Sequence, residues 1–208
     1  MLILYICGVL VIAFYSSPHS YRDKIFPKRL SPKHRSLLSK HNSFYSALPE
    51  KKKIRFESRV IRFIKNKTFE ARDNIRIDDD KMILIAASAI KITFGLRYYL
   101  LSEFDTILVY PEAYYSPFTK TYNLGETNIG MNTIVFSWKA FEEGYADPND
   151  GLNVALHEFA HAIVLQMIVN GQKNNIFEKA YRKWLILISI PGVSAAVKQS
   201  GFFRDYAF

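Results

Sequence analysis

Residues 153–161 read Asn-Val-Ala-Leu-His-Glu-Phe-Ala-His, and they stand at the start of an apolar run that continues to Val169. Asn153 is a residue type that caps helix N-termini, and Asn170-Gly171 is a typical helix end. The apolar positions Leu156, Phe159, Ala160 and Ile163 recur at helical spacing. The pattern therefore predicts a helix from Asn153 to about Val169.

Two histidines lie four residues apart on this predicted helix, with a glutamate directly after the first. Residues four apart share a helix face, so His157 and His161 can both present a ring nitrogen to one metal ion. Glu158 lies one residue off that face, where a carboxylate can take a proton from a metal-bound water without binding the metal. The spacing predicts a zinc site at His157 and His161 that activates water against a peptide carbonyl, with Glu158 as general base. The alternative is a pair of structurally satisfied histidines.

The surrounding elements indicate an α+β fold, mostly helical around a small sheet with the metal-motif helix packed on it. Apolar periodicity predicts helices over Pro49–Phe69, Asp79–Phe94 and Ile176–Ile190. Short β-branched runs predict strands at Thr106–Tyr110 and Asn132–Trp138, separated by a long loop. The second strand is the candidate for pairing with an extended substrate at a sheet edge.

Aromatic residues cluster after the first predicted strand, at Tyr110, Tyr114 and Tyr115. Tyrosines here could line a substrate cleft or stabilise an oxyanion. Aromatic residues beside a buried strand are more often part of the core, so we expect core packing for these three.

The composition indicates one folded domain without a disulfide framework. The chain has 208 residues, 49% of them hydrophobic, and a single cysteine. Any metal must therefore be held by histidine and carboxylate. The net charge of +9 is concentrated before residue 68, which suits a solvated basic face or an anionic membrane. The basic residues do not alternate with aromatics as a base-stacking surface requires, which argues against a nucleic acid partner.

The N-terminus divides into an apolar and a basic part. Residues 1–15 form an uncharged apolar run, and this run predicts a membrane anchor or, alternatively, a buried helix or strand. Residues 16–43 are basic and contain Pro18, Pro27 and Pro32, which is typical of a linker. By the positive-inside rule, the remaining chain lies in the cytoplasm, tethered to the inner face of the membrane. The domain itself is predicted over residues 44–208.

The motif and its context resemble the Mlc titration factor A family of zinc-dependent peptidases. The likeness is carried by residues 153–161 together with Ile107–Pro111 and Ile134–Trp138, and it extends over roughly residues 44–208. The resemblance implies a zincin-like fold related to the catalytic domain of anthrax lethal factor. It also implies a cytoplasmic zinc peptidase, an aminopeptidase in some members, and a transcriptional regulator as partner. His157 and His161 match the family's metal ligands, and Glu158 matches its catalytic glutamate.

A third metal ligand is not evident in this sequence. Family members take it from a glutamate on a later helix, beyond a segment similar to Arg204–Phe208, where this chain ends. Glu178 and Asp205 are the downstream candidates, and absence of the ligand through C-terminal truncation is the third possibility. The alternative function is an inactive homologue that serves as a regulator-binding or membrane-associated module.

Overall fold

A computed structural model describes residues 27–146 and 153–171. The helices of the described residues are α1 (Pro32–His41), α2 (Ser43–Ala47), α3 (Glu50–Lys65), α4 (Asp79–Thr93), α5 (Trp138–Ala146) and α6 (Val154–Val169). The strands are β1 (Thr68–Ala71), β2 (Thr106–Tyr110), β3 (Tyr114–Ser116), β4 (Thr121–Asn123), β5 (Gly125–Asn128) and β6 (Thr133–Ser137). Helices and strands mix along the chain, which is compatible with the predicted α+β class.

Four strands form the main sheet in the order β1-β2-β6-β5. Strands β1, β2 and β6 run parallel, and β5 pairs antiparallel with β6. Strand β6 is buried along its whole length, as expected for a strand with neighbours on both sides and helices nearby. Strands β3 and β4 form a separate antiparallel hairpin.

Helix α6 packs against β5 and β6 of the sheet and against α4. The Asn153 side chain accepts a hydrogen bond from the Leu156 backbone N–H at 3.0 Å, and Asn170 is the C-cap residue. The sequence prediction for this helix is therefore confirmed at both ends. The interior side of α6 contributes Phe159 and Ile163 to the core, so the metal motif lies on a helix that is held on several sides.

Helices α3 and α4 pack on each other and contribute nine buried apolar residues to the core. Helix α4 begins after Asp78, whose carboxylate accepts from the Lys81 backbone N–H at 2.9 Å. This confirms the predicted helix Asp79–Phe94 to within one residue. Helix α3 ends earlier than predicted, because Asn66 is its C-cap and the following Thr68–Ala71 pairs with β2 as β1.

The long loop expected between the two predicted strands contains three further strands, β3, β4 and β5. Strand β2 has the predicted bounds, whereas β6 ends at Ser137 and Trp138 begins α5. The assignment of Asn132–Trp138 as a sheet edge is wrong, because β6 hydrogen-bonds with β2 on one side and β5 on the other. The edge strand beside α6 is β5.

The predicted linker over residues 16–43 overlaps the folded domain. Residues 32–41 form α1, and Leu30 and Leu38 are buried in the core. The buried carboxylate of Glu57 binds the start of this segment, accepting from the Leu30 backbone N–H and the Arg29 guanidinium, both at 3.0 Å. The boundary at residue 44 is therefore wrong, because the buried Glu57 carboxylate holds Arg29 and Leu30 on α3, and α1 packs on α4 with Leu38 in the core.

Other predictions fall outside the described residues: the apolar run 1–15, the helix Ile176–Ile190, and the candidate ligands Glu178 and Asp205. Within residues 27–146 and 153–171, no helix has the length and apolar character needed to cross a bilayer.

Candidate metal centre and active site

The two motif histidines converge on one point beside α6. Their Nε2 atoms are 2.9 Å apart, and the ring planes are inclined at 80° with centroids 4.5 Å apart. Two nitrogens bound to a tetrahedral zinc, each at about 2.0–2.1 Å, would be about 3.3 Å apart. The ring nitrogens are therefore placed within a few tenths of an ångström of a zinc-binding separation.

The electrostatic environment keeps both rings neutral near pH 7. Burial lowers the pKa of His157 to about 4, with a smaller contribution from the charge of His161. Burial also lowers the pKa of His161. Neutral imidazole is the metal-binding form, so these two side chains are in the state that a divalent cation requires.

Glu158 is buried between α6 and the edge strand β5. Its side chain is 4% exposed. The Thr127 hydroxyl lies 2.8 Å from Glu158 Oε2 and 2.9 Å from the Glu158 carbonyl oxygen, and its one proton can be donated to either of these acceptors. Burial raises the pKa of Glu158 to about 7; the Thr127 hydrogen bond opposes this shift, and the charge of Glu126 adds to it. The carboxylate is thus held in one orientation by its own helix and by β5.

Gly125 allows β5 to approach Glu158 closely. A Cβ atom at Gly125 would lie 2.6 Å from Glu158 Oε1 and 2.8 Å from Val154 Cγ2. These distances are below any normal van der Waals contact, so the bare backbone of Gly125 forms one wall of the Glu158 pocket.

Similarity to known proteins identifies the family. The sequence pattern of the glucose-regulated metallopeptidases, M90, matches residues 18–191. The chain belongs to this M90 family. It is the Mlc titration factor A family that the motifs resemble, so that prediction is confirmed.

A curated relative of the M90 chain comes from the cyanobacterium Synechocystis sp. and is itself an uncharacterised protein. The two are 26% identical over 190 residues, which cover 84% of this chain and 69% of the relative. Family membership indicates a metallopeptidase, with a metal cofactor and peptides or proteins as substrates.

The third ligand of the M90 site is not found in the described part of the chain. Among residues 27–146 and 153–171, no group of three His, Cys, Asp or Glu side chains is arranged to hold a metal ion. Both sequence candidates, Glu178 and Asp205, lie outside these ranges. The donor set that is described, two converging neutral imidazoles, fits zinc as part of a larger ligand set.

The three tyrosines near the site differ in environment. Tyr114 is buried and stacks on Tyr110 with centroids 4.4 Å apart, in agreement with the core assignment. Burial and the carboxylates of Glu126 and Glu158 hold the pKa of Tyr114 well above its usual range. Tyr115 is 55% exposed, so the core prediction is wrong for this residue. It lies on the two-stranded hairpin and contacts the Tyr122 ring with centroids 5.7 Å apart.

Sequence reasoning missed two residues that shape the site, Gly125 and Thr127. Both lie in a segment whose glycines and asparagines resemble an ordinary turn. Residues two apart on a strand share a face, so a predicted strand here would have placed Gly125 and Thr127 side by side. A strand of four residues is too short to be distinguished from a loop by its alternation pattern.

Proposed function

We propose that this M90 chain is a zinc-dependent metallopeptidase in which His157 and His161 hold the ion and Glu158 is the general base. The observation that carries the proposal is the convergence of the two Nε2 atoms at 2.9 Å beside a carboxylate buried on the same helix. Histidines with no function at the surface would be solvated. Here both rings are buried and neutral, and they lie next to a glutamate that is hydrogen-bonded to strand β5.

Each residue of the site has a separate role in the proposed reaction. A bound zinc ion would supply a Lewis acid that polarises water and the peptide carbonyl. Glu158 takes the proton from the attacking water and passes it to the leaving amine. Thr127 and Gly125 orient the Glu158 carboxylate. The Thr127 hydroxyl binds one carboxylate oxygen, and the absence of a side chain at Gly125 leaves room for the other.

Strand β5 is the proposed binding edge for an extended substrate, in place of β6. In the described part of the chain the backbone of β5 pairs as a strand with β6 alone, and its residues Gly125 and Thr127 lie against Glu158 of α6. A peptide that adds to a sheet edge gains main-chain hydrogen bonds whatever its side chains. This arrangement would place the scissile bond along the face that carries the metal motif.

Further assignments belong to the same proposal. Glu178 and Asp205 are the candidates for a third metal ligand, and catalytic zinc sites use three protein ligands. An aminopeptidase activity and a transcriptional-regulator partner follow from the family resemblance alone. Residues 1–15 tether the domain to the inner face of the membrane, and removing them should release the protein from the membrane fraction.

The test combines metal content with hydrolysis. We expect about one zinc per chain in the purified protein, and turnover of chromogenic aminoacyl or peptide substrates that falls at least about 100-fold in Glu158→Gln. Glu142→Gln is the matched control, because Glu142 is exposed on α5 and outside the site. Tight zinc binding with turnover unaffected by Glu158→Gln would contradict the role of Glu158. A folded protein that binds no zinc would favour the inactive regulator-binding or membrane-associated module.

A further inference from the structure

The hairpin formed by β3 and β4 carries three exposed aromatic side chains. Tyr115 and Tyr122 lie opposite each other on the two strands, and they are 55% and 75% exposed. Phe118, in the turn between the strands, is 61% exposed. The other face of β3 packs into the domain, since Tyr114 and Ser116 are buried. A group of exposed rings on one hairpin is typical of an interaction surface.

The backbone N–H groups of the turn are satisfied within the hairpin. Pro117 has no N–H group. The N–H groups of Phe118 and Thr119 donate to Ser116 Oγ at 3.3 and 3.4 Å, and the Lys120 N–H donates to the Ser116 carbonyl at 2.9 Å. A backbone donor without a partner is costly to move out of water. The turn can therefore leave water without leaving such a donor unpaired.

The polar side chains of the hairpin also bind one another. The Thr121 hydroxyl lies 2.9 Å from the Thr119 hydroxyl and 3.0 Å from Asn123 Oδ1, and Asn123 Nδ2 donates to the Thr119 hydroxyl at 3.0 Å. Polar groups that are bonded within the hairpin have little need of partners on the surface that they meet. This favours the interface of a lipid bilayer, where tyrosine rings are enriched, over a polar protein surface.

The charge of the hairpin suits an anionic surface. Lys120 is exposed in the turn, and it is the one charged residue of the segment 113–125. Lysine side chains close to a membrane are attracted to anionic lipid headgroups. The turn thus combines the apolar ring of Phe118 with a cation two residues later.

The proposed tether would keep this hairpin within reach of a bilayer. Residues 16–26 separate the apolar run 1–15 from the described domain, and they span at most about 40 Å when fully extended. This length is about the diameter of a domain of this size. Tethering makes a second contact with the same bilayer intramolecular, so even a weak contact becomes occupied.

We propose that the hairpin of β3 and β4 inserts the rings of Phe118, Tyr115 and Tyr122 into the headgroup region of an anionic bilayer, with Lys120 on the lipid phosphates. This contact is additional to the tether at residues 1–15 and is made by the folded domain itself. It does not depend on the proposed peptidase activity.

The test is the fluorescence of Phe118→Trp in the full chain, mixed with vesicles of phosphatidylglycerol and phosphatidylcholine. The phosphatidylcholine acyl chains are brominated near the headgroup, because bromine quenches a tryptophan at that depth. The signal of the new tryptophan is the difference from the wild type, which contains Trp138 and Trp184. We expect a blue shift on vesicles and a loss of emission on the brominated ones.

Tyr98→Trp is the matched control. Tyr98 is 57% exposed and lines a pocket with Gln166, near the end of α6. A tryptophan at this position should stay in water, without a blue shift or quenching. Lys120→Glu, combined with Phe118→Trp, should reduce the quenching on anionic vesicles.

The proposal is overturned if the full chain sediments with the vesicles while the emission of Phe118→Trp is unchanged, and the tether would then stand alone. Equal quenching of Phe118→Trp and Tyr98→Trp would overturn it, because the contact would not be specific to the hairpin. Absence of any association with vesicles overturns the hairpin contact and the tether together. A blue shift of Phe118→Trp that grows with protein concentration without vesicles would overturn it in favour of a contact between two copies of the chain.

Discussion

Gly125 sets how closely the edge strand can approach Glu158, the proposed general base. A side chain at Gly125 would have no space, because the side chains of Glu158 and Val154 lie against the position that its Cβ would take. No local backbone requirement identifies this glycine in the sequence. The requirement arises from α6, which is separated from Gly125 by about 30 residues along the chain.

Gly125→Ala should therefore reduce turnover and stability together. The added methyl would meet Glu158 Cγ at 2.7 Å, and the strand or the carboxylate must move. We expect a loss of about 1–3 kcal/mol in the free energy of unfolding, measured by urea denaturation, and at least a tenfold drop in kcat/KM.

Gly130→Ala is the matched control. The nearest atom to a Cβ at Gly130 is Asn128 Oδ1 at 3.5 Å, an ordinary contact, so both quantities should stay close to the wild type. Equal effects of the two alanines would contradict the role assigned to Gly125.

Lys67 should make the free energy of unfolding depend on pH. Burial lowers the pKa of Lys67 from 10.5 to about 8 in the folded protein. Between these values the unfolded chain binds more protons than the folded one, so stability should rise with pH. Below the folded pKa both states carry the proton, and the contribution is constant.

The comparison that isolates this effect is wild type against Lys67→Met. From pH 7.5 to 10, the free energy of unfolding of wild type should increase relative to the variant by up to about 2–3 kcal/mol. Tyrosines that titrate near pH 10 affect both proteins and cancel in the difference. A difference that is flat or falls with pH would show that Lys67 is not desolvated.

At the scale of elements, Arg59 joins α3 to the end of α4. The guanidinium, fully buried, donates to the carbonyls of Thr93, Phe94 and Leu96 at 3.3, 2.9 and 3.1 Å. It also lies over the Tyr99 ring at 4.1 Å. The last carbonyls of a helix have no partners within the helix, and here a neighbouring helix supplies the donors.

Arg59→Lys should therefore be strongly destabilising despite the conserved charge. An ammonium cannot reproduce the planar fork that reaches three carbonyls, and we expect a cost of about 2–4 kcal/mol in chemical unfolding. Arg55→Lys tests the same exchange at an exposed position one turn earlier on α3, where the cost should be under about 0.5 kcal/mol. Similar costs at both positions would refute the capping role.

The ends of the helices and strands show where local sequence patterns are sufficient to predict the structure. Helices α4 and α6 have strong caps at Asp78 and Asn153, and their predicted starts agree with the structure. The predicted helix Pro49–Phe69 includes the first two residues of β1, because Thr68–Ala71 has little local strand character and becomes a strand by pairing with β2. Sheet order, and with it the correction from β6 to β5 as the edge, depends on pairing between distant segments.

At the scale of the whole molecule, the segment before residue 44 is part of the core. Leu38 is fully buried, and Leu38→Ala should lower the free energy of unfolding by about 2–5 kcal/mol. Lys40→Ala, on the exposed side of the same helix, should have little effect. A Leu38→Ala protein as stable as the wild type would restore the linker assignment for α1.

By itself, the sequence determined the metal motif, its helix with both ends, the class of fold and the family. These follow from local spacing, because helix geometry brings His157 and His161 together wherever the helix lies. Only the tertiary structure decided what surrounds the motif. The Thr127 hydrogen bond, the wall formed by Gly125 and the edge position of β5 all join segments far apart in the chain. Such contacts arise from packing of whole elements, and no local periodicity encodes them.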